Sequence, residues 1–137
     1  SYVKFMENGK SLVSSSTDST LRQWAVGQGY IWEPVQTYSG HLNEKNFVGL
    51  AISSSDLIAT GSEDNSVVLY DKYLEYPVLK YQLNTCCPLT GNPMSDELGT
   101  FVSSVTWSNR LDCHGNPILL AANSSGNVKA LSINIID

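Results

Sequence analysis

Cationic side chains are scarce in this 137-residue sequence: eight Lys and Arg stand against thirteen Asp and Glu, for a net charge of −5. A nucleic-acid backbone calls for a basic stripe, so no nucleic-acid partner is expected. A basic or amphipathic protein suits the acidic balance better. Apolar runs are short. No window approaches the roughly 18 residues of a membrane span, no charged-then-apolar segment opens the sequence, and no membrane partner is expected. Cysteine is limited to Cys86, Cys87 and Cys113. The adjacent pair cannot easily close on itself, and the odd set reads as reduced thiols of the cytosol or nucleus. Cys86-Cys87, even with Cys113-His114, lacks the spacing of a zinc knuckle, so neither a metal nor another cofactor is expected. Phosphate-binding glycine motifs and nucleophile elbows are missing as well, and no helical period stands out. Nothing in this inventory points to an enzyme.

What the sequence does have is a repeat. Ser16-Thr17-Asp18-Ser19-Thr20-Leu21-Arg22-Gln23-Trp24 lies over Ser62-Glu63-Asp64-Asn65-Ser66-Val67-Val68-Leu69-Tyr70 at an offset of 46 residues. A weaker third copy, Asn123-Ser124-Ser125-Gly126-Asn127-Val128-Lys129-Ala130-Leu131, follows 61 residues after the second. Each copy is a small-polar turn followed by an alternating apolar strand. A period in the mid-forties with that signature marks the blade of a β-propeller, about 40–45 residues each and typically 4–8 to a ring. The chain therefore holds about three blades, too few to close. Propellers more often hold proteins than transform substrates, which favours a binding module.

Alternating apolar residues broken by Gly, Asn, Asp and Ser predict antiparallel meanders. The first blade, about residues 1–39, has strands at Val3 and Phe5, Ser11 to Ser16, Thr20 to Ala25 and Pro34 to Tyr38. The second, about 40–85, has Phe47, Leu50 and Ile52, then Leu57 to Ser62, Val67 to Tyr70 and Val78 to Leu83. The third, about 100–137, has Val102, Val105 and Trp107, then Ile118 to Asn123 and Val128 to Ile133. An insertion loop covers 86–99, and a second is expected from Asn109 to Pro117. Because the last blade lacks an outer strand, the piece is expected at the C-terminal end of a ring. Its missing blades would lie upstream or be supplied in trans.

Asp18 and Asp64 each stand two residues after a serine (Ser16, Ser62) and six before an aromatic (Trp24, Tyr70). This pattern resembles the WD-repeat family, in which a turn aspartate, a strand serine or threonine, a strand tryptophan and a loop histidine form a buried network. The resemblance implies that Ser16, Asp18, Trp24, His41, Ser62, Asp64 and Tyr70 are structural. His41 is placed to join Ser62 and Asp64, and Tyr70 takes the tryptophan position. A catalytic His41–Asp64 pair is the alternative reading. The third copy offers only Ser125 and Leu131 at the matching points and is expected to rely on packing.

A more specific match lies in Gly40-His41-Leu42-Asn43-Glu44-Lys45-Asn46-Phe47-Val48-Gly49-Leu50. Together with Ser1-Tyr2-Val3-Lys4-Phe5, Thr60-Gly61-Ser62-Glu63, Phe101-Val102-Ser103-Ser104-Val105 and Ala121-Ala122-Asn123-Ser124, it closely resembles the propeller of the constitutive photomorphogenic ubiquitin ligase and its suppressor-of-phytochrome-A partners. The resemblance implies a substrate-receptor module of a light-signalling ubiquitin ligase complex, nuclear and secondarily cytoplasmic. Its partners would be ligase subunits and the transcription factors or photoreceptors that carry Val-Pro motifs. Glu44, Asn46 and Phe47 would then form part of the peptide face, with Phe47 packing on Val-Pro. The alternation Phe47, Leu50, Ile52 equally suits an inward-facing Phe47, and a scaffold fragment without a pocket is the competing function. Departures are clear: Trp24-Ala25-Val26-Gly27 and Tyr70-Asp71-Lys72-Tyr73 do not preserve the Trp-Asp-x-Arg contact for a cullin adaptor. RING, coiled-coil and kinase-like segments are not in this sequence, so no transfer chemistry is assigned.

Overall fold

The structure, a computed structural model, describes residues 2–27, 32–83 and 99–134. Eleven strands form three antiparallel meanders, with no helix among the described residues. The first sheet orders β1 (Val3–Phe5), β2 (Ser11–Ser16), β3 (Thr20–Val26) and β4 (Trp32–Ser39). The second orders β5 (Leu50–Ile52), β6 (Leu57–Gly61), β7 (Ser66–Asp71) and β8 (Leu79–Gln82). The third has three strands, β9 (Val102–Leu111), β10 (Pro117–Asn123) and β11 (Val128–Ser132). The chain is thus all-β, a partial propeller of unclosed blades.

Burial follows from the place of each sheet in the stack. Along β2, Ser11, Val13 and Ser15 are buried while Leu12, Ser14 and Ser16 are only half covered. In β6 every residue is buried, and in β7 all but Asp71. A strand alternates when one face is packed and loses alternation when both are. The second sheet is therefore the filling of the sandwich. Its Ile58, Val68 and Tyr70 meet Val13, Leu21 and Tyr38 of the first sheet in one core. Ala59, Val67 and Leu69, one residue out of phase, meet Val102, Leu119, Ala121 and Ile133 of the third sheet in another.

The three copies of the repeat are the three β-turns at one end of the sheets. Position four of each copy has the left-handed backbone: Ser19 (φ 63°), Asn65 (φ 62°) and Gly126 (φ 88°). That conformation is tolerated by short polar residues and free for glycine, which explains the residue types found there. Gly61, at the end of β6, has a different reason. A Cβ there would lie 2.0 Å from the Val48 carbonyl oxygen and 2.2 Å from that of Val102, so the strand is pinched between backbone on both sides.

Two expectations are corrected. The second insertion does not form a long loop, because β9 continues to Leu111 and pairs it with Pro117. Only Asp112 to Asn116 turn, held by the Asp112 carboxylate accepting the amide N–H groups of His114 and Asn116, both at 2.8 Å. Phe47 is not the first inward residue of its strand. It is 68% exposed, and Val48, at 1%, takes the buried place. Of the expected insertion at 86–99, all but Gly99 lies outside the described residues.

Candidate functional site

Strand directions gather the loops that matter on one end. Leu50 opposes Thr60, Ser39 opposes Thr20, and Asn123 opposes Val102. The turns 17–19, 62–65 and 124–127 therefore share an end with the connection 40–49. The Asp112 turn lies at the other.

The connection 40–49 is stitched alternately to its two neighbours. Leu42 N–H donates to Ser62 Oγ (2.9 Å), and the Glu63 N–H returns a bond to the Leu42 carbonyl (2.8 Å). Asn43 N–H donates to Ser19 Oγ (2.9 Å), while Ser19 N–H and Oγ–H both reach the Asn43 carbonyl at 3.1 Å. The next three amides converge on one carboxylate. Glu44 N–H donates to Glu63 Oε2 (3.0 Å), and Lys45 and Asn46 N–H donate to Oε1 at 2.7 and 2.6 Å, joined by Asn46 Nδ2 at 3.1 Å. Burial pushes the Glu63 carboxyl up, but these four donors outweigh it and hold it below the usual range. Phe47 follows directly and projects outward, and then the Val48 carbonyl accepts Gly61 N–H (2.8 Å).

The proposed network residues are close together but joined differently from the expectation. His41 is buried, and its Nδ1 lies 2.8 Å from the Tyr70 hydroxyl. With the ring proton on Nε2, the phenol O–H donates to Nδ1. Burial lowers the imidazole pKa to about 4, so His41 is neutral near pH 7. No hydrogen bond joins His41 to Asp64. The Asp64 carboxylate instead accepts Ser66 Oγ–H and pairs with Lys80 Nζ at 2.5 Å, within its own sheet. Burial raises its pKa, but hydrogen bonds from Lys80, Ser66 and Ser62 and the Lys80 charge hold it below the carboxylate norm. Tyr70, in the tryptophan position, brings a hydroxyl that occupies the imidazole Nδ1, while the buried Nε2 has no hydrogen-bond partner and Asp64 bonds to its own neighbours. A His41–Asp64 catalytic pair has no geometry here.

In the first sheet Asp18 is exposed and accepts from Thr20 N–H (3.0 Å), Thr20 Oγ–H (2.6 Å) and Arg22 (3.2 Å). Ser16 Oγ accepts the Asp18 amide at 3.4 Å, and Trp24 Nε1 donates to Ser14 (2.9 Å), not to the turn. In the third, Asn123 does the work that the sequence left to packing. Its Oδ1 accepts the amides of Ser125 (3.1 Å) and Asn127 (3.0 Å), and its Nδ2 reaches Asn65 Oδ1 (3.2 Å) across the sheets. Glu63 and Asn123 were missed because the repeat pattern weights only shared positions, and neither residue type recurs there. Among the described residues no group of three His, Cys, Asp or Glu could hold a metal ion. The Cys113 thiol is exposed.

Unclosed meander blades joined by a stitched inter-blade loop are the architecture of a β-repeat fold. The WD domain, G-beta repeat family matches residues 1–25 and 32–71. The chain is 41% identical over 136 residues to Protein SPA1-RELATED 3 of Arabidopsis thaliana, covering 97% of this chain and 15% of that protein. It is 45% identical over 132 residues to E3 ubiquitin-protein ligase COP1 of Pisum sativum, covering 96% and 18%. Protein SUPPRESSOR OF PHYA-105 1 of Arabidopsis thaliana is 41% identical over 138 residues, covering 97% and 13%. The chain carries WD repeats and is similar over nearly its whole length to these COP1 and SPA1-related proteins, while it spans less than a fifth of the length of these curated relatives.

Proposed function

We propose that this chain is a non-catalytic protein-interaction module that acts as part of the substrate receptor of a light-signalling ubiquitin ligase complex. Its ligands are short peptides with a Val-Pro core, carried by transcription factors or photoreceptors in the nucleus and secondarily in the cytoplasm. The observation that carries this reading is Phe47, an aromatic side chain 68% exposed at the end of a loop whose preceding amides are all tied down. An apolar ring held outward on a fixed backbone suits a proline-containing ligand, which loses little entropy on docking. Glu44 is exposed beside it and meets polar groups of the peptide. Asn46 has its Nδ2 committed to Glu63, so its amide oxygen is the group it offers.

Calorimetric titration of a Val-Pro peptide into the full-length gene product tests the reading. Phe47→Ala is expected to weaken binding tenfold or more, roughly the effect of a small interface anchor, with the melting temperature unchanged. Glu44→Lys is expected to weaken it less. Undiminished binding by Phe47→Ala would assign the chain to the alternative, a scaffold piece that assembles with other blades and has no pocket of its own.

A further inference from the structure

Loop 44–46 has no ladder partner, yet all three of its amides point at the Glu63 carboxylate, from 2.6 to 3.0 Å. Glu63 itself sits in the turn between β6 and β7, where its own N–H is pinned to the Leu42 carbonyl and the adjacent Ser62 Oγ holds the Leu42 amide. The carboxylate therefore extends from a rigid, buried sheet into a loop that would otherwise expose three unpaired donors. Charge-assisted bonds of this kind are shorter and about twice as strong as neutral ones. The residue carried by the far end of the clasped segment is Phe47.

We propose that Glu63 is a positioning residue, a carboxylate latch that fixes loop 44–46 and so sets the direction in which Phe47 is presented to a ligand. The binding consequence rests on the peptide reading above; the latch itself does not. Glu63 touches no ligand in this scheme. It acts by sparing the ligand the ordering of a loose loop. Its chemistry also limits replacement. Aspartate is one methylene too short to reach all three amides, and glutamine keeps one acceptor oxygen but turns an N–H₂ toward a donor.

Amide exchange and peptide titration on the full-length gene product separate the two claims. In the unaltered protein the amides of Glu44, Lys45 and Asn46 are expected to exchange slowly despite lying outside any strand. Glu63→Ala should speed them about tenfold or more while β6 and β7 stay protected, with Glu63→Gln intermediate. Binding of a Val-Pro peptide should weaken roughly threefold to tenfold in Glu63→Ala and recover partly in Glu63→Gln. Fast exchange at 44–46 in the unaltered protein, or unchanged exchange in both variants, overturns the latch. Equal binding by Glu63→Ala and the unaltered protein overturns its role in presenting Phe47. If the unaltered protein binds no Val-Pro peptide, the peptide reading fails and the exchange data alone decide the latch.

Discussion

Asp64 and Asp18 occupy equivalent turns, yet replacing each by alanine should give unequal results. Asp64 is the partner of Ser66, whose side chain is fully buried, and of Lys80, whose side chain is 46% exposed. Removing the carboxylate leaves the buried Ser66 hydroxyl without its acceptor, at about 1–3 kcal/mol. Loss of the half-exposed ion pair adds about 0–1 kcal/mol. A destabilisation of about 2 kcal/mol is expected for Asp64→Ala. Asp18 binds Thr20 and Arg22 in the open, where water replaces it, so Asp18→Ala should cost under about 1 kcal/mol. Urea unfolding of the full-length gene product, followed by tryptophan fluorescence, measures both. A double-mutant cycle isolates the cause. Ser66→Ala removes the stranded hydroxyl, so Asp64→Ala/Ser66→Ala should fall short of the sum of the single variants by about 1 kcal/mol. Equal losses at Asp18 and Asp64, or strict additivity with Ser66→Ala, would refute the reasoning.

Other outcomes follow from the same geometry. His41 is neutral in the fold, with its pKa lowered to about 4 from an ordinary 6.5. Its contribution is complete above about pH 6.5 and lost as pH falls toward 4, by on the order of 3 kcal/mol at most. His41→Asn should flatten that part of the stability–pH profile, and an unaltered profile would contradict it. Gly61→Ala forces a Cβ onto two carbonyl oxygens and should destabilise by on the order of 3 kcal/mol or more; wild-type melting would show that the pinch is not real. Residues 1–137 purified alone should self-associate, since β11 is an exposed edge with Val128 67% open to solvent. A monodisperse monomer in light scattering would count against this.

The sequence by itself determined the strands, the turns and the repeat. Alternation of side chains and the turn chemistry of Asp18, Asp64, Asn65 and Gly126 are local properties, written over a few residues at a time. Only the tertiary structure decided who bonds to whom. The Tyr70 hydroxyl meets the imidazole at Nδ1, and Asp64 bonds to Ser66 and Lys80 instead. Phe47 illustrates the same limit, since its period suits an inward place and only the packing of Val48 beneath Gly61 turns it to solvent. Glu63 was silent in the sequence because a carboxylate in a turn is ordinary. Its meaning comes from three amides supplied by residues 17 to 19 positions away in the chain. Such pairings arise where two blades are pressed together, and no short-range pattern carries them.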